Sequence, residues 1–464
     1  MSRPGFVVLH GNRLEDLREL LVEHVRAHPP PPLGEDLILV QSNGMRHWLE
    51  LGLADDRGGL GICAGVRMEL PAAFLWQAAR AVLGEAAVPR RLPLDEEPLV
   101  WRLMRLLPHL PPDADFDLLR RYLQGDTDGL CRYRLAVQLA DVFDGYQGYR
   151  ADWLADWARG GAPALAQDRW QARLWRALLR MPAGALAAAD FDAVWAVDDR
   201  KSATASYQNE SMEGTAPRSR ADIYAELTRR LRAWPAGQAL PPGLPPRLFV
   251  FGISSMPMQQ VELLATLGEI CEVLLLAQNP SRQAWDHLQG QRQRLAAAGR
   301  PGQDRDDLHL DGHPLLAAWG QQGRDYLHLL DRFDEHERHR DRFSRVELFH
   351  DPLQGWPDHA SAPVLAQIQA AILDLEAPGA APRPLAPGDD SLGFAICHGP
   401  QREVEVLHDR LLAWFNAPGS RLQARDVVVM VPDMAEFAPH VDAVFGRFPP
   451  GDARHIPYAV ADRS

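Results

Sequence analysis

Residues 6–27 read FVVLHGNRLEDLRELLVEHVRA, and residues 36–49 read DLILVQSNGMRHWL. Each opens on a short apolar run, 6–9 and 36–40, and passes through a polar loop into a helical pattern. Leu14, Leu17, Leu21 and Val25 share one helix face in the first, and Met45, Trp48 and Leu49 mark the second helix. Apolar runs of four to eight residues bounded by turn residues predict strands buried on both faces. Strand, loop and helix, repeated within about 60 residues, is the pattern of an α/β fold with a parallel sheet.

Outward from this pair, the pattern from Pro71 to Trp234 is almost wholly helical and rich in Trp, Leu and Ala. Trp153 and Trp157 lie four residues apart, a spacing expected to pack into a core rather than to stack on bases. A Pro-rich connector at 235–246 precedes two further apolar runs. The run 248–251 ends at Gly252-Ile253-Ser254-Ser255, and the run 273–276 ends at Gln278-Asn279-Pro280. The sheet is therefore expected to resume after a helical insertion, with 1–90 and 247–375 as two parts of one α/β domain around 91–234. Residues 376–390, EAPGAAPRPLAPGDD, read as a linker. Beyond it, 391–464 predicts a strand at 392–397, a helix carrying Val404, Leu407, Leu411 and Trp414, a strand at 427–431 and another helix. That order is the start of a second α/β domain, and it stops without a closing element, as a truncated chain would. No internal repeat is evident.

The 464 residues are 46% hydrophobic and 24% charged, ordinary globular values that exclude a disordered or fibrous chain. No apolar stretch is long enough to predict a transmembrane helix, and the four-residue run at the N-terminus is too short for a signal peptide. Cys63, Cys131, Cys271 and Cys397 are too far apart for paired metal knuckles, and they predict reduced thiols in a cytoplasmic protein. A net charge of −13 argues against a protein that coats duplex DNA with its whole surface, but is compatible with a local basic channel. Lys201 is the only lysine among 49 basic residues, an imbalance expected from a GC-rich genome. It lies in KSATASYQNESMEGT, residues 201–215, within a stretch from 198 to 222 that has no Val, Ile or Leu. Such a stretch cannot bury a core, so 198–217 reads as a loop or a disordered insertion.

A nucleotide-hydrolysing loop needs several glycines, a lysine for the phosphates and a Ser or Thr for Mg²⁺. The loop after the first strand, His10-Gly11-Asn12-Arg13-Leu14-Glu15, has one glycine and no lysine. Asp198 and Asp199 precede Lys201-Ser202, where their charge would repel a phosphate. Asp199-Arg200-Lys201, with Asp190 and Asp192 nearby, matches a loose nuclease pattern that occurs by chance in most long chains. His309 with His313, and His336-Glu337-Arg338-His339, have part of a metal-ligand spacing but no third ligand, and read as solvated helix faces.

The wording of the chain goes further than its pattern. LHGNRLEDL, ILVQSNGMRHWL, ELPAAFLW, DVFDGYQGYRADWLADW, FGISSMP, HPLLAAWGQQGRDY, CHGPQREVEVLHDRLLAWF and IPYAVADR together closely resemble the RecC family, the gamma chain of exodeoxyribonuclease V (RecBCD). The resemblance runs from residue 6 to the end, apart from 198–217, and covers the N-terminal part of a full RecC. It implies a superfamily 1 helicase-like fold that has lost its ATPase motifs, followed by the start of a second helicase-like domain marked by Gln401-Arg402-Glu403 and Ile456-Pro457-Tyr458. It implies a non-catalytic DNA-binding subunit that channels the 3′-ended single strand and reads the crossover hotspot, Chi, during double-strand break repair. The implied partners are RecB-like and RecD-like subunits, which would use ATP and Mg²⁺ and act on duplex ends; this chain would need no cofactor and no membrane. Implied strand-contact positions are Gln41, Leu70, Trp76, Asp141, Asp144, Arg150 and Arg220, with Asn43 and His47 at positions where this sequence departs from better-known members, as it does at Val142 and Gly145. Two other readings stand beside this one: an active helicase or nuclease in its own right, and a scaffold without DNA contact.

Overall fold

The computed structural model describes residues 4–163, 165–181, 191, 194–195, 217–235, 238–241, 243–285, 288, 312–334, 348–377 and 385–460. The first two apolar runs become β1 (Gly5–Gly11) and β2 (Asp36–Val40), each followed by the expected helix, α1 (Leu14–Ala27) and α2 (Asn43–Ala54). A third strand, β3 (Val66–Glu69), leads into α3 (Pro71–Leu83). The insertion supplies α4 (Glu96–Leu106), α5 (Asp117–Tyr122), α6 (Leu130–Tyr149), α7 (Ala151–Ala158), α8 (Arg169–Arg180) and α9 (Arg220–Arg232). The sheet then resumes with β4 (Arg247–Phe251), α10 (Met258–Gly268) and β5 (Glu272–Gln278). Helices α11 (Pro314–Trp319), α12 (Gln321–Asp331) and α13 (Val364–Leu373) follow. Beyond 390 come α14 (Pro400–Phe415) and α15 (Met434–Phe445).

All five strands run parallel in the order β1-β5-β4-β2-β3. Alternate residues of β1, β2, β4 and β5 feed opposite faces, as the two-residue period of a strand requires. Phe6, Val8, Leu37, Leu39, Leu248, Val250, Val273 and Leu275 pack with α3, α9 and α10. Val7, Leu9, Ile38, Val40, Phe249, Phe251, Leu274 and Leu276 pack with α1 and α2. The result is a three-layer α/β/α arrangement with apolar strands covered on both sides. Helices α4, α6, α7 and α8 bury a separate core around Trp175, Phe143 and Phe116.

At the amino ends of β2 and β4, Arg247 clasps Asp36 through Nε and Nη2 at 2.6–2.9 Å, and both side chains are buried. Arg247 Nη1 also donates to the His28 carbonyl at 2.8 Å. A buried charge is tolerated when it is paired and its remaining donors are satisfied, which is the case here. This clasp fixes the β2–β4 pairing whose opposite end forms the candidate site.

Two details differ from the sequence reading. The apolar runs 392–397 and 427–431, expected as strands of a second sheet, join no sheet among the described residues. Phe394 and Ile396 are 91% and 101% exposed, so these runs lack the neighbouring strand that would pair their backbone and cover their side chains. What forms beyond 390 among the described residues is a small helical cluster in which Val404 and Leu411 of α14 meet Val444 and Phe445 of α15. The second difference is β3, which no apolar run announced: of its four residues only Met68 is buried. The 198–217 stretch, apart from Pro217, lies outside the described residues, as do Asp190, Asp192, Asp198, Asp199, Arg200, Lys201, His309 and 336–339.

Candidate nucleic-acid interface

In a parallel sheet, ligand sites form outside the carboxyl ends of neighbouring strands whose connections leave toward opposite faces. The chain leaves β2 toward α2 on one face, and leaves the adjacent β4 toward α10 on the other. Gln41 is the first residue after β2, and Gly252-Ile253-Ser254-Ser255 follow β4. Gly252 adopts φ +61°, which turns the chain just past the strand end. Across the crevice the backbone N–H and the hydroxyl of Ser254 both donate to Gln41 Oε1 at 3.0 Å. A backbone N–H can only donate, so the amide oxygen must face Ser254 and the NH₂ must face away. The oxygen has two lone pairs and two donors. Gln41 therefore presents a donor group outward, rather than a donor–acceptor pair.

The neighbouring residues of the loop are positioned by the helix start. Ser42 caps α2 by accepting from the Met45 N–H at 3.2 Å, and Asn43 and His47 are exposed on the first turns of that helix. Leu70 sits between β3 and α3 as the N-cap, half exposed. Trp76 lies further along α3 and packs edge-on against Tyr224 of α9, ring centroids 6.3 Å apart. One turn before Tyr224, Arg220 opens α9 and bonds to Asp144 of α6, while its Nε lies 3.5 Å from Asp95. Buried Gln147 completes the junction, accepting from the Arg220 backbone N–H at 3.2 Å and donating to the Leu94 carbonyl at 2.7 Å. Burial pushes the Tyr224 phenol above its ordinary range, so it stays a neutral wall. Asp141 is exposed one turn before Asp144.

Arg150 caps the end of α6 and is held on two sides. Its guanidinium makes paired bonds to Asp152 at 3.0–3.1 Å and lies over the Trp153 ring, 3.6 Å from the centroid. The hydrogen bond from Arg150 holds the Asp152 carboxyl below the usual carboxylate range. Trp157 is core, whereas Trp153 is partly exposed and serves as the platform under Arg150. The i, i+4 spacing therefore covers two different environments.

The structure thus brings Gln41 and Ser254 together at one crevice and links Trp76, Tyr224, Arg220 and Asp144 through α3, α9 and α6. It keeps Arg220 and Asp144 engaged with each other rather than presenting two free groups. Ser254, Gln147 and Trp153 were not singled out as contacts in the sequence, although Ser254 lies within FGISSMP and Trp153 within DVFDGYQGYRADWLADW.

The loop after β1 packs against other parts of the chain. Asn12 donates to the His350 carbonyl and accepts from its N–H, both at 2.8 Å. A Cβ on Gly11 would lie 2.9 Å from the Leu348 carbonyl oxygen, and the Gly11 carbonyl accepts from Asn279 N–H at 2.8 Å. The first turn of α1 carries Glu15 and Asp16, whose charge opposes an anion at a helix N-terminus. These residues do not fit a nucleotide phosphate. His313, whose proposed helical partner lies outside the described residues, uses Nδ1 to cap α11 at Leu315. No cluster of metal-ligating side chains occurs among the described residues, and no helix among them is long and apolar enough to cross a membrane.

The family described as RecC, N-terminal domain, matches residues 6–375. The chain is 35% identical over 98% of its length to the RecBCD enzyme subunit RecC of Escherichia coli K12, and 32% identical over 98% to that of Haemophilus influenzae. It is 28% identical over 90% of its length to the same subunit of Mycobacterium tuberculosis. It spans 39%, 40% and 33% of those relatives, well under half of each.

Proposed function

This chain belongs to the RecC family, and from that premise we propose that it is part of a non-catalytic, DNA-binding subunit of a RecBCD-type helicase–nuclease. On this reading it guides a single strand past the carboxyl edge of its helicase-like sheet and reads the crossover hotspot during recombinational repair of double-strand breaks. ATP hydrolysis and cleavage belong to RecB-like and RecD-like partners. The observation that carries the reading is the β2–β4 crevice, where Ser254 presets the Gln41 amide with its donors outward. A side chain held by a second residue loses less entropy on contact and discriminates base edges better than a free one. Trp76 and Leu70 supply apolar surface for base faces, Arg150 supplies a cation and Asp141 accepts from exocyclic amines, while Arg220 and Asp144 reach the strand only by exchanging their mutual bond for contacts with it.

An active helicase is disfavoured by the Asn12–His350 plug in the phosphate position. The test is binding of single-stranded DNA by the chain at rising salt, with ATP turnover measured on the same preparation. Strand binding should fall by about 0.7 log units per log unit of salt for each phosphate neutralised, with no ATP turnover by the chain itself. Turnover that disappears in Lys201→Ala would favour the active enzyme; absence of strand binding would favour a scaffold.

A further inference from the structure

The groove beside the candidate interface has no role in anything described so far. It is an open cleft of about 540 Å³ between the end of α6, the loop after β4 and helices α11 and α12. Its walls are Tyr149 and Trp319, 67% and 81% exposed, and its floor is Met256 and Tyr326, both buried. Gln322 and Asp325 stand on its rim.

Two large aromatic rings left in water, on either side of an apolar floor, are costly surface unless something covers them. Trp319 is presented by a rigid corner rather than a loose loop. Gly320, between α11 and α12, leaves no room for a Cβ, which would lie 2.5 Å from the Leu316 carbonyl oxygen and 2.9 Å from the Trp285 ring. Beneath it, the Tyr326 hydroxyl is buried with no hydrogen-bond partner among the described residues. Among the described residues the groove has no available cation, because Arg324 is turned to Asp325 and the Leu288 carbonyl. It therefore suits the flat face of an uncharged ring better than a phosphate.

Continuity identifies the ring. Tyr149 is adjacent in sequence to Arg150, and Ser255, which also lines the groove, is adjacent to Ser254. The groove thus joins the Gln41 end of the candidate interface to the Arg150 end. We infer that it is a sequence-tolerant stacking subsite that holds a nucleobase of the single strand against Tyr149 and Trp319, between the residues that read base edges. This rests on the strand-reading proposal above and extends it to residues which that proposal does not use.

The test uses the full chain purified with its partner subunits, and an oligothymidine strand carrying 5-iodouracil, which cross-links to stacked aromatic rings on irradiation. Adducts are expected on Trp319 or Tyr149. Trp319→Ala and Tyr149→Ala should each weaken strand binding about five- to 150-fold, the range found when a base-stacking aromatic is removed. Trp319→Phe, which keeps a ring face, should recover most of the affinity. Adducts confined to the Gln41 and Trp76 region, with wild-type affinity in Trp319→Ala, would overturn the stacking subsite and leave the strand-reading proposal standing. Absence of adducts in both regions would overturn both. If Trp319→Ala releases a partner subunit on gel filtration while strand affinity is unchanged, the groove seats a protein and the inference fails.

Discussion

If Gln41 reads a base edge as proposed, replacing it by Glu separates that role from the fold. In the native crevice the Ser254 N–H and hydroxyl both donate to Gln41 Oε1 at 3.0 Å. A carboxylate accepts the same two bonds, and hydrogen bonds to a charged group contribute ~1.5–3 kcal/mol against ~0.5–1.5 for neutral pairs. The site is exposed, so the gain is at the low end, and Gln41→Glu should leave the urea midpoint unchanged or slightly raised. The outward face, however, changes from an NH₂ donor to an oxygen. A base acceptor that met the amide then meets a group of its own polarity, and loss of such a contact costs ~1–3 kcal/mol, about five- to 150-fold at one base. The assay is equilibrium binding of the assembled complex to a strand bearing its hotspot and to a scrambled strand. The hotspot advantage should shrink in Gln41→Glu and in Gln41→Ala alike, with affinity for the scrambled strand reduced modestly in Gln41→Glu by the added charge. A Gln41→Glu complex that keeps the full advantage would refute the assignment of an outward donor.

Arg247→Met strands Asp36 as a buried, unpaired charge and should destabilise the sheet by ~3–5 kcal/mol, read as a lowered urea midpoint; adding Asp36→Leu should restore most of it. A single-mutant midpoint equal to wild type would contradict the clasp. The Val364 and Ser391 N–H groups hold the Asp389 carboxyl below the ordinary aspartate value of 3.8. Its contribution to stability is therefore full above that value and lost as pH falls through the lower folded pKa. Carboxyl titration followed by NMR should show a midpoint below 3.8, and a midpoint at or above it would contradict the bonds. Deleting residues 198–217, which contain no Val, Ile or Leu, should leave the melting temperature nearly unchanged, because little apolar area is lost. A fall equivalent to several kcal/mol would show that the segment is packed.

The parts of the fold legible in the sequence are those set by local pattern. Strands β1, β2, β4 and β5 are continuous apolar runs because they are buried on both faces, and this is the one case in which composition alone marks a strand. Edge strand β3 buries Met68 alone, so its alternation is too short to register. The runs at 392–397 and 427–431 show the converse: apolar character marks a segment that can pair, but pairing needs a neighbour, and none is present among the described residues. At the candidate site the family wording supplies only the positions proposed as contacts, and not the relations between them. Ser254 is 213 residues from Gln41 and fixes which end of its amide faces outward, information carried by no local spacing. The Arg220–Asp144 bond, across 76 residues, likewise turns two apparent contact groups into one engaged pair.

The account rests on a separation between moving along DNA and reading it, and Gln41→Ala in a full-length, assembled complex tests this most directly. Products of DNA processing are mapped with and without the hotspot while the unwinding rate is followed on the same substrates. The account predicts that hotspot-dependent products vanish or lose their position specificity while unwinding continues at the wild-type rate. Unwinding that falls in step with the hotspot response would make Gln41 a structural residue and contradict the reading of this crevice as the strand-reading site.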